Sequence, residues 1–419
     1  MMRRIEAQVL MRFKFAPLAW SLAAALGGCL TATGEVFSDG LSRTPQATTI
    51  GASGTAMGTK DGHSAAALSD GTVWCWGANR DGQLGDGTTN SSSSPVKVVG
   101  LPARAVSLAA GLHHTVALLE NGTVWCWGRN TNGQLGNNSK TSSYRPVQVS
   151  NIATAMAIAA GDDHTVALLS DGSVWCWGSN KHGELGNGGG GDSNRPARVG
   201  SFTNAIRISA RFHQTYVILS DNKVDGALWG WGDNAGGQIG VGTKGGNCPA
   251  PVQAFQEKLN HVIAVAAGDH HTCAVLSSGE VWGWGANFFG QLGNNDSKTA
   301  QVITAPVQTA GIKTATAVSA GDLHTCAILQ DGSLWCWGFN SSGQVGGKSG
   351  PKSIAPTKVV LSKSAKMVVG GGLHTITLLE DGTVQCWGEN GAGQLGNGTK
   401  VNSSTPVTAG GSWVETTGR

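Results

Sequence analysis

The sequence predicts an all-β fold, a closed seven-bladed β-propeller with four antiparallel strands in each blade. Three observations carry that expectation. A Trp-Cys-Trp-Gly phrase stands at Trp74 to Gly77, Trp125 to Gly128, Trp175 to Gly178 and Trp335 to Gly338, with variants ending at Gly232, Gly285 and Gly388. Its closing glycines are 50 to 54 residues apart, a period found in solenoids, arrays and propellers. Within each period, apolar stretches of about four to eight residues are bounded by Gly, Asp and Asn, as strands and their turns are.

The second repeat shows the strands in order: Ala105 to Ala110, Thr115 to Glu120, Thr123 to Gly128 and Pro146 to Val149. Asn121-Gly122 joins the middle pair, and Asp70-Gly71, Asp171-Gly172, Asp331-Gly332 and Asp381-Gly382 do so elsewhere. These dipeptides suit the positive φ angles of a tight hairpin. The fourth repeat has the longer Asp221 to Gly226 there, a hairpin expected to protrude. Trp125 and Trp127 are two apart and so share one face of a strand. Each ring buries about 150 to 250 Å², more than one small sheet can cover, so each pair demands a neighbouring sheet. A circle of blades supplies it without the polar end caps of a linear array. Pro45 precedes His63 at the spacing of Pro146 to His164, and Pro406-Val407 starts the same strand after the last Trp phrase. One of these two segments is surplus. It is expected to complete a blade from the opposite end of the chain as a noncovalent clasp.

The combined pattern is His-Thr, an apolar strand, Asp-Gly, Trp-x-Trp-Gly-x-Asn and Gly-Gln-Leu-Gly. It resembles the repeat of the regulator of chromosome condensation family from about Pro45 to Val407. That resemblance implies the seven-bladed propeller and a role in binding other macromolecules. Functions in the family range from nucleotide exchange on a small GTPase to ultraviolet-B sensing and β-lactamase inhibition, and a fold does not choose among them. The Gly-x-x-His-Thr segments lack the photoreceptor's tryptophan, so light sensing is not expected here.

From Met11 the chain reads Arg12 and Lys14, an apolar stretch from Phe15 to Leu26, then Gly27-Gly28-Cys29. A basic start, a short apolar core and small residues describe a secretory signal. The core falls well short of the roughly 20 residues of a spanning helix. Leu26 to Cys29 resembles the bacterial lipobox, which makes Cys29 the lipid-attachment residue. An ordinary secretory signal, giving a secreted protein, is the alternative, and Met1 and Met11 stay open as starts. The expected organisation is a lipoprotein signal peptide over 1–28, a flexible tether over 29–44, the propeller over 45–408 and a C-terminal tail over 409–419. By resemblance to enterobacterial sorting, Leu30 after the cysteine points to the outer rather than the inner membrane of the cell envelope. A net charge of +3 on 419 residues, with 13% charged, offers no nucleic-acid patch, so no nucleic acid is expected.

Nine cysteines in an exported chain raise the question of disulfides. Cys75, Cys126, Cys176, Cys336 and Cys386 share one slot that glycine fills in the fourth and fifth repeats, as a small buried packing residue would. Cys326 and Cys336 on adjacent strands are the candidate disulfide, and Cys248 is the candidate exposed thiol. Of eleven histidines, His63, His114, His164, His271, His324 and His374 share a slot with Gln214. Gln replaces a hydrogen bond but not a proton shuttle. These side chains are therefore read as bracing a turn. His113, His213 and His270 precede that slot, and His182 lies in another loop. No spacing such as His-Glu-x-x-His accompanies them, so no catalytic residue, metal or cofactor is expected, and the chain is read as no enzyme.

The loops joining first to second and third to fourth strands emerge on one face, and the Asp-Gly turns on the other. Positions that repeat serve the scaffold, whereas loops that differ are free for recognition. Aromatic residues and arginine dominate interface hot spots. The partner-binding candidates are Arg80, Arg129, Lys181, His182, Phe212, Phe288 and Phe289, with Asp162, Asp163, Asp269 and Asp322. For Phe288 and Phe289 the competing role is plugging a gap between loops. The reading is a monomeric, surface-tethered scaffold that engages a protein or glycan through this face. The alternatives are a cell-envelope spacer, an enzyme with a His/Asp site on that face, and a guanine nucleotide exchange factor-like regulator.

Overall fold

A computed structural model describes residues 54–410, except 61, 221–225, 256–258, 260, 297–300 and 348–349. The signal segment, Cys29, Pro45, most of the long fourth-repeat hairpin and most of the C-terminal tail lie outside the described residues. All regular structure among the described residues is strand: seven sheets of four, each paired antiparallel in chain order. The blades span 54–97, 105–148, 155–198, 205–253, 262–308, 315–358 and 365–408. The first strand of each blade touches those of both neighbouring blades, so the first strands surround the axis.

In blade 2 the strands are Ala105–Ala110, His114–Leu119, Val124–Gly128 and Ser143–Gln148. The last begins three residues before Pro146, because Gly128 pairs with Ser143 across a bulge. In the Asn121-Gly122 turn only glycine takes positive φ (+77°). Asn121 Oδ1 instead accepts the Thr123 amide at 3.1 Å, and the Leu119 amide donates to Thr123 O. This is the longer hairpin with a single left-handed glycine, not the two-residue turn. The glycine closing the Trp phrase is obligatory: Gly128 has φ +104°, and a Cβ there would run into His113 O.

The core consists of seven clusters, one in each gap between adjacent blades. Trp125 and Trp127 both pack on the blade 1 side, against Ala65, Ala67, Val73, Cys75 and Leu84. Cys75 and Cys126 point the opposite way, each towards the next blade's tryptophan. At the same slot a Cβ on Gly230 would strike the Tyr216 ring, and one on Gly283 would crowd Leu292. Cys326 and Cys336 stand directly opposite each other, 4.1 Å apart at Cα, and are joined by a disulfide. Cys248 is half-buried against the core between blades 4 and 5.

The repeated histidines, His63 apart, lie over a loop glycine of their own blade, and all act between blades as well. Each reaches across the gap. His63 Nε2 meets Thr115 Oγ1 at 3.0 Å, His114 meets Thr165 at 3.0 Å, His164 meets Thr215 at 2.9 Å, and His271 and His324 meet Thr325 and Thr375 at 2.9 Å. The threonine hydroxyl then donates back to a loop carbonyl of the histidine's own blade, as Thr115 does to Gln83 O at 2.8 Å. That carbonyl also accepts the indole N–H of the next blade's inner tryptophan, Trp127, at 2.9 Å. The preceding glycine leaves room for the ring, since a Cβ on Gly111 would overlap the imidazole of His114.

The ring closes through the same device, not through a shared blade. Ser403–Thr408 pairs with its own blade, and Gly54–Lys60 with His63–Leu68, so the expected clasp is absent among the described residues. His374 Nε2 instead meets Thr59 and Ser64 of blade 1, and Trp76 Nε1 donates to Gln394 O at 2.8 Å. Met57, Ala66 and Trp76 complete the apolar contact with Met367, Val369, Ile376 and Leu378. With four strands already present in both terminal blades, closure needs only a face to pack on.

Two outcomes follow for stability. Trp127→Ala removes a fully buried ring and one bond to Gln83 O, and is expected to lower the unfolding free energy by about 3–5 kcal/mol in urea titrations. Burial holds His271 and His374 at about 3, and His324 well below its ordinary 6.5. Below about pH 6.5 the unfolded chain takes up protons that these folded rings refuse. Stability is therefore lost as pH falls towards 3, by about 1.4 kcal/mol per pH unit for each ring. His271→Gln should make that acid dependence shallower; an unchanged slope in denaturant titrations at pH 7 and 5 would contradict the assignment.

Candidate functional site on the loop face

The loops between third and fourth strands are held by the repeated asparagine. Asn130 Oδ1 accepts the Leu135 amide at 2.9 Å, while its Nδ2 donates to Ser139 O and Thr141 O at 3.0 Å. The glutamine four residues on turns its side-chain oxygen to the amide two residues before itself. Gln83, Gln134, Gln238, Gln291, Gln344 and Gln394 all do so, at 2.7 to 3.0 Å. Blade 3 alone has Glu184 in this place, with Oε2 accepting the His182 amide at 2.7 Å.

The loops between first and second strands crowd the axis and bond to one another. Leu112 N donates to Asp162 O and Asp162 N to Phe212 O, both at 3.0 Å, and Asp269 N donates to Asp322 O at 3.2 Å. Each lies beside the third-to-fourth loop of the preceding blade, so acid–histidine pairs cross three of the gaps. His113 Nδ1 is 3.4 Å from Asp81, His213 Nδ1 is 3.2 Å from Glu184, and His270 Nδ1 is 3.9 Å from Asp233. At the gap between blades 2 and 3, Gln134 Nε2 donates to Asp163 at 2.8 Å.

Blade 4 departs from the pattern at four linked places, Arg211, Gln214, Tyr216 and Gly230. Gln214 replaces histidine, so the space that the glycine normally leaves for an imidazole is free, and Arg211 occupies it. Arg211 is fully buried and reaches past blade 5 to blade 6, where Nη1 donates to Ala320 O at 2.9 Å and Nη2 pairs with the Asp322 carboxylate. Gln214 donates to Gly268 O at 2.9 Å, while the Tyr216 hydroxyl meets Thr272 in the histidine's place and also donates to Gln238 O, which Thr272 still bonds. Phe212 adopts φ +47°, with its ring 4.0 Å from that of His213 and 5.3 Å from that of His270. His182 stacks on His213 at 4.3 Å.

These contacts set the protonation of the patch. Burial alone would push the Glu184 carboxyl up, but the contact with His213 and the charges of His164 and His213 outweigh it and hold it at about 2. Burial likewise opposes the His213 imidazolium, yet Glu184, Asp162 and Asp233 raise its pKa. Burial dominates at His113, which is lowered, and at Asp163, which is raised with help from Asp162.

Of the expected binding residues, the structure gathers Asp162, Asp163, Arg129, His182, Phe212 and Asp269 on blades 2 to 5. Lys181 and Arg80 are exposed, the latter on blade 1, away from that group. Asp322 serves Arg211. Phe288 and Phe289 are half-buried, and Phe289 packs edge-on against Phe339 of blade 6 at 4.7 Å. Arg211 and Glu184 are missing from the expected set, although each is visible in the sequence as a break in an otherwise repeated position. On the opposite face a cleft of about 640 Å³ lies between blades 1 and 2, lined in part by Lys97, Leu101, Arg104 and Glu120. Its Arg104–Glu120 pair, 4.0 Å apart and more than half exposed, contributes little.

The model of the regulator of chromosome condensation (RCC1) repeat matches residues 70–118, 121–168, 171–211, 225–275, 278–328, 331–378 and 381–412. The chain belongs to the RCC1 repeat family. This RCC1-repeat chain is 31% identical over 286 residues to the ultraviolet-B receptor UVR8 of Arabidopsis thaliana, covering 68% of this chain and 64% of the receptor. It is 28% identical over 287 residues to the human E3 ubiquitin-protein ligase HERC2, covering 68% of this chain but 5% of that protein. Among solved structures it shares the fold of Prp20p from Saccharomyces cerevisiae at a TM-score of 0.71 and 23% identity, over 81% of this chain and 85% of that one. Human WBSCR16 follows at 0.70 and 23%, over 80% and 87%.

The Arg211 anchor yields a stability test. Arg211→Met leaves Asp322 without its cation near the axis and is expected to cost about 3–5 kcal/mol. Arg211→Met combined with Asp322→Leu should recover most of that loss in denaturant titrations. A single-variant cost under about 1 kcal/mol would show that the anchor does not hold blade 4 to blade 6.

Proposed function

We propose that this RCC1-repeat propeller is a non-catalytic binding scaffold, engaging a protein or glycan through its loop face and held at the cell envelope by lipid on Cys29. One observation carries the reading. The residue types repeated around the ring are consumed by the gaps between blades or by holding their own loops and turns, whereas residues that differ collect on one face. There, Lys181 is exposed beside half-buried His182, Phe212 and Asp163 are half-buried, and Arg80 is exposed on blade 1. Loops on a rigid ring are well placed for recognition. Relatives of the same fold support macromolecular binding as the mode of action: the yeast protein Prp20p was characterised for binding Gsp1p and histones, and its complex with Kap60 is known. For this chain, the basic n-region, short apolar core and Leu-Gly-Gly-Cys ending at Cys29 favour an exported setting, in which the partner is an envelope protein or glycan.

Expression of the full chain and of Cys29→Ala in a lipoprotein-processing bacterium tests the setting. A lipid-modified species starting at Cys29, found with membranes and lost in the variant, is expected. An unprocessed cytoplasmic product would favour the exchange factor-like alternative. Capture of envelope components by the immobilised protein then tests the surface: Arg80→Ala with Lys181→Ala and Phe288→Ala should weaken capture about tenfold or more, and Arg104→Ala on the opposite face should not. Equal capture by both variants would refute the loop face as the binding surface.

A further inference from the structure

Glu184 does more than its place in the repeat requires. Six repeats make the same loop bond with a neutral glutamine amide, so the bond to the His182 amide does not need a carboxylate. The carboxylate is fully buried, and a buried charge is costly unless a cation meets it. Its second oxygen, Oε1, lies 3.2 Å from His213 Nδ1 and 3.4 Å from Ser179 Oγ. That ring nitrogen is itself buried and has no aligned hydrogen-bond partner, so nitrogen and oxygen sit close without pointing along one bond. His182 lies flat against His213, 14° from parallel. One donor atom from each of His182, Glu184 and His213 falls within 4.8 Å of the other two.

We propose that His182, Glu184 and His213 form a divalent transition-metal site, for which zinc is the best chemical match, joining a loop of blade 3 to a loop of blade 4. Two imidazoles and one carboxylate suit such an ion better than calcium or magnesium, which take oxygen ligands. Ligands at about 2.0–2.2 Å require the triangle to contract by about 1 Å. Because a metal lies in the plane of each imidazole that binds it, half-buried His182, on a loop, would also turn out of its stack on His213. Three protein ligands leave a fourth position open on the loop face, for water or for a donor atom of a bound molecule. The site stands independently of the binding reading, since the ion binds whether or not a partner exists.

The untagged full chain, stripped with chelator, is titrated with zinc by calorimetry, and its metal content is measured after dialysis. One equivalent bound at micromolar affinity or tighter, with a raised thermal midpoint, is expected. Glu184→Gln restores the residue of the other six repeats and so should fold with little change in the metal-free midpoint, yet lose at least about tenfold in zinc affinity. His182→Ala should do the same. Absence of stoichiometric zinc binding would overturn the proposal. So would equal zinc binding by wild type and Glu184→Gln, or calcium binding as tight as zinc.

Discussion

The fold depends on one polar junction repeated at the gaps between blades: an imidazole from one blade, a hydroxyl from the next, and a loop carbonyl that receives both the hydroxyl and a tryptophan N–H. At the gap between blades 2 and 3 these are His114, Thr165, Gln134 O and Trp177, all buried. Apolar contact alone would let two sheets slide, because hydrophobic attraction has no direction. Buried hydrogen bonds do have direction, and an unmade one is expensive. The junction therefore fixes register and angle between blades. The surrounding Trp, Cys, Ala and Leu side chains supply most of the attraction.

The junction also explains which residues the chain tolerates. Glycine stands three residues before the histidine in blades 2, 3, 5, 6 and 7, where the ring fills the place of a Cβ, whereas blade 1 has Lys60 there. Once Gln214 replaces histidine in blade 4, that constraint lifts and Arg211 enters. Tyr216, two residues further along the same strand, restores the bond to the next blade's threonine, and its ring in turn requires Gly230 opposite it. Four departures from the repeat thus form one compensated set. Its guanidinium ties blade 4 to blade 6 and lowers the pKa values of His271, His324 and His374 further. Blades 3 to 5 are where the ring is least symmetric, and two of the three acid–histidine pairs and Phe212 gather there. A symmetric ring offers the same surface in every direction; the asymmetric sector is the part that can distinguish one ligand from another.

Much of the architecture was legible because it rests on local patterns counted many times. Trp125 and Trp127 on one face, the strands flanking Asn121-Gly122, and a small residue at the Cys126 slot all follow from the two-residue period of a strand and from repetition. The loop faces were legible for the same reason, since antiparallel strands alternate the ends at which loops leave. The expectation at the histidines was only half right: the shared slot marked a scaffold role, but the partner lies about 51 residues away, in the next blade. Ring closure was misread because Pro45 suggested an extra strand, whereas the seventh repeat already carries its own in Ser403–Thr408.

By itself, then, the sequence determined the number of blades, the strand plan, the shared face of each tryptophan pair and the division between scaffold and variable loops. Each of these is periodic, and short-range geometry acts identically on every copy. Only the tertiary structure decided what the exceptions do. Arg211 meets Asp322 more than one hundred residues on, and His182 and Glu184 meet His213 from another blade. Contacts of that kind depend on how blades are set around the axis, which no spacing along the chain encodes. Repetition makes the frame readable, while the places where repetition fails acquire meaning only from their neighbours in space.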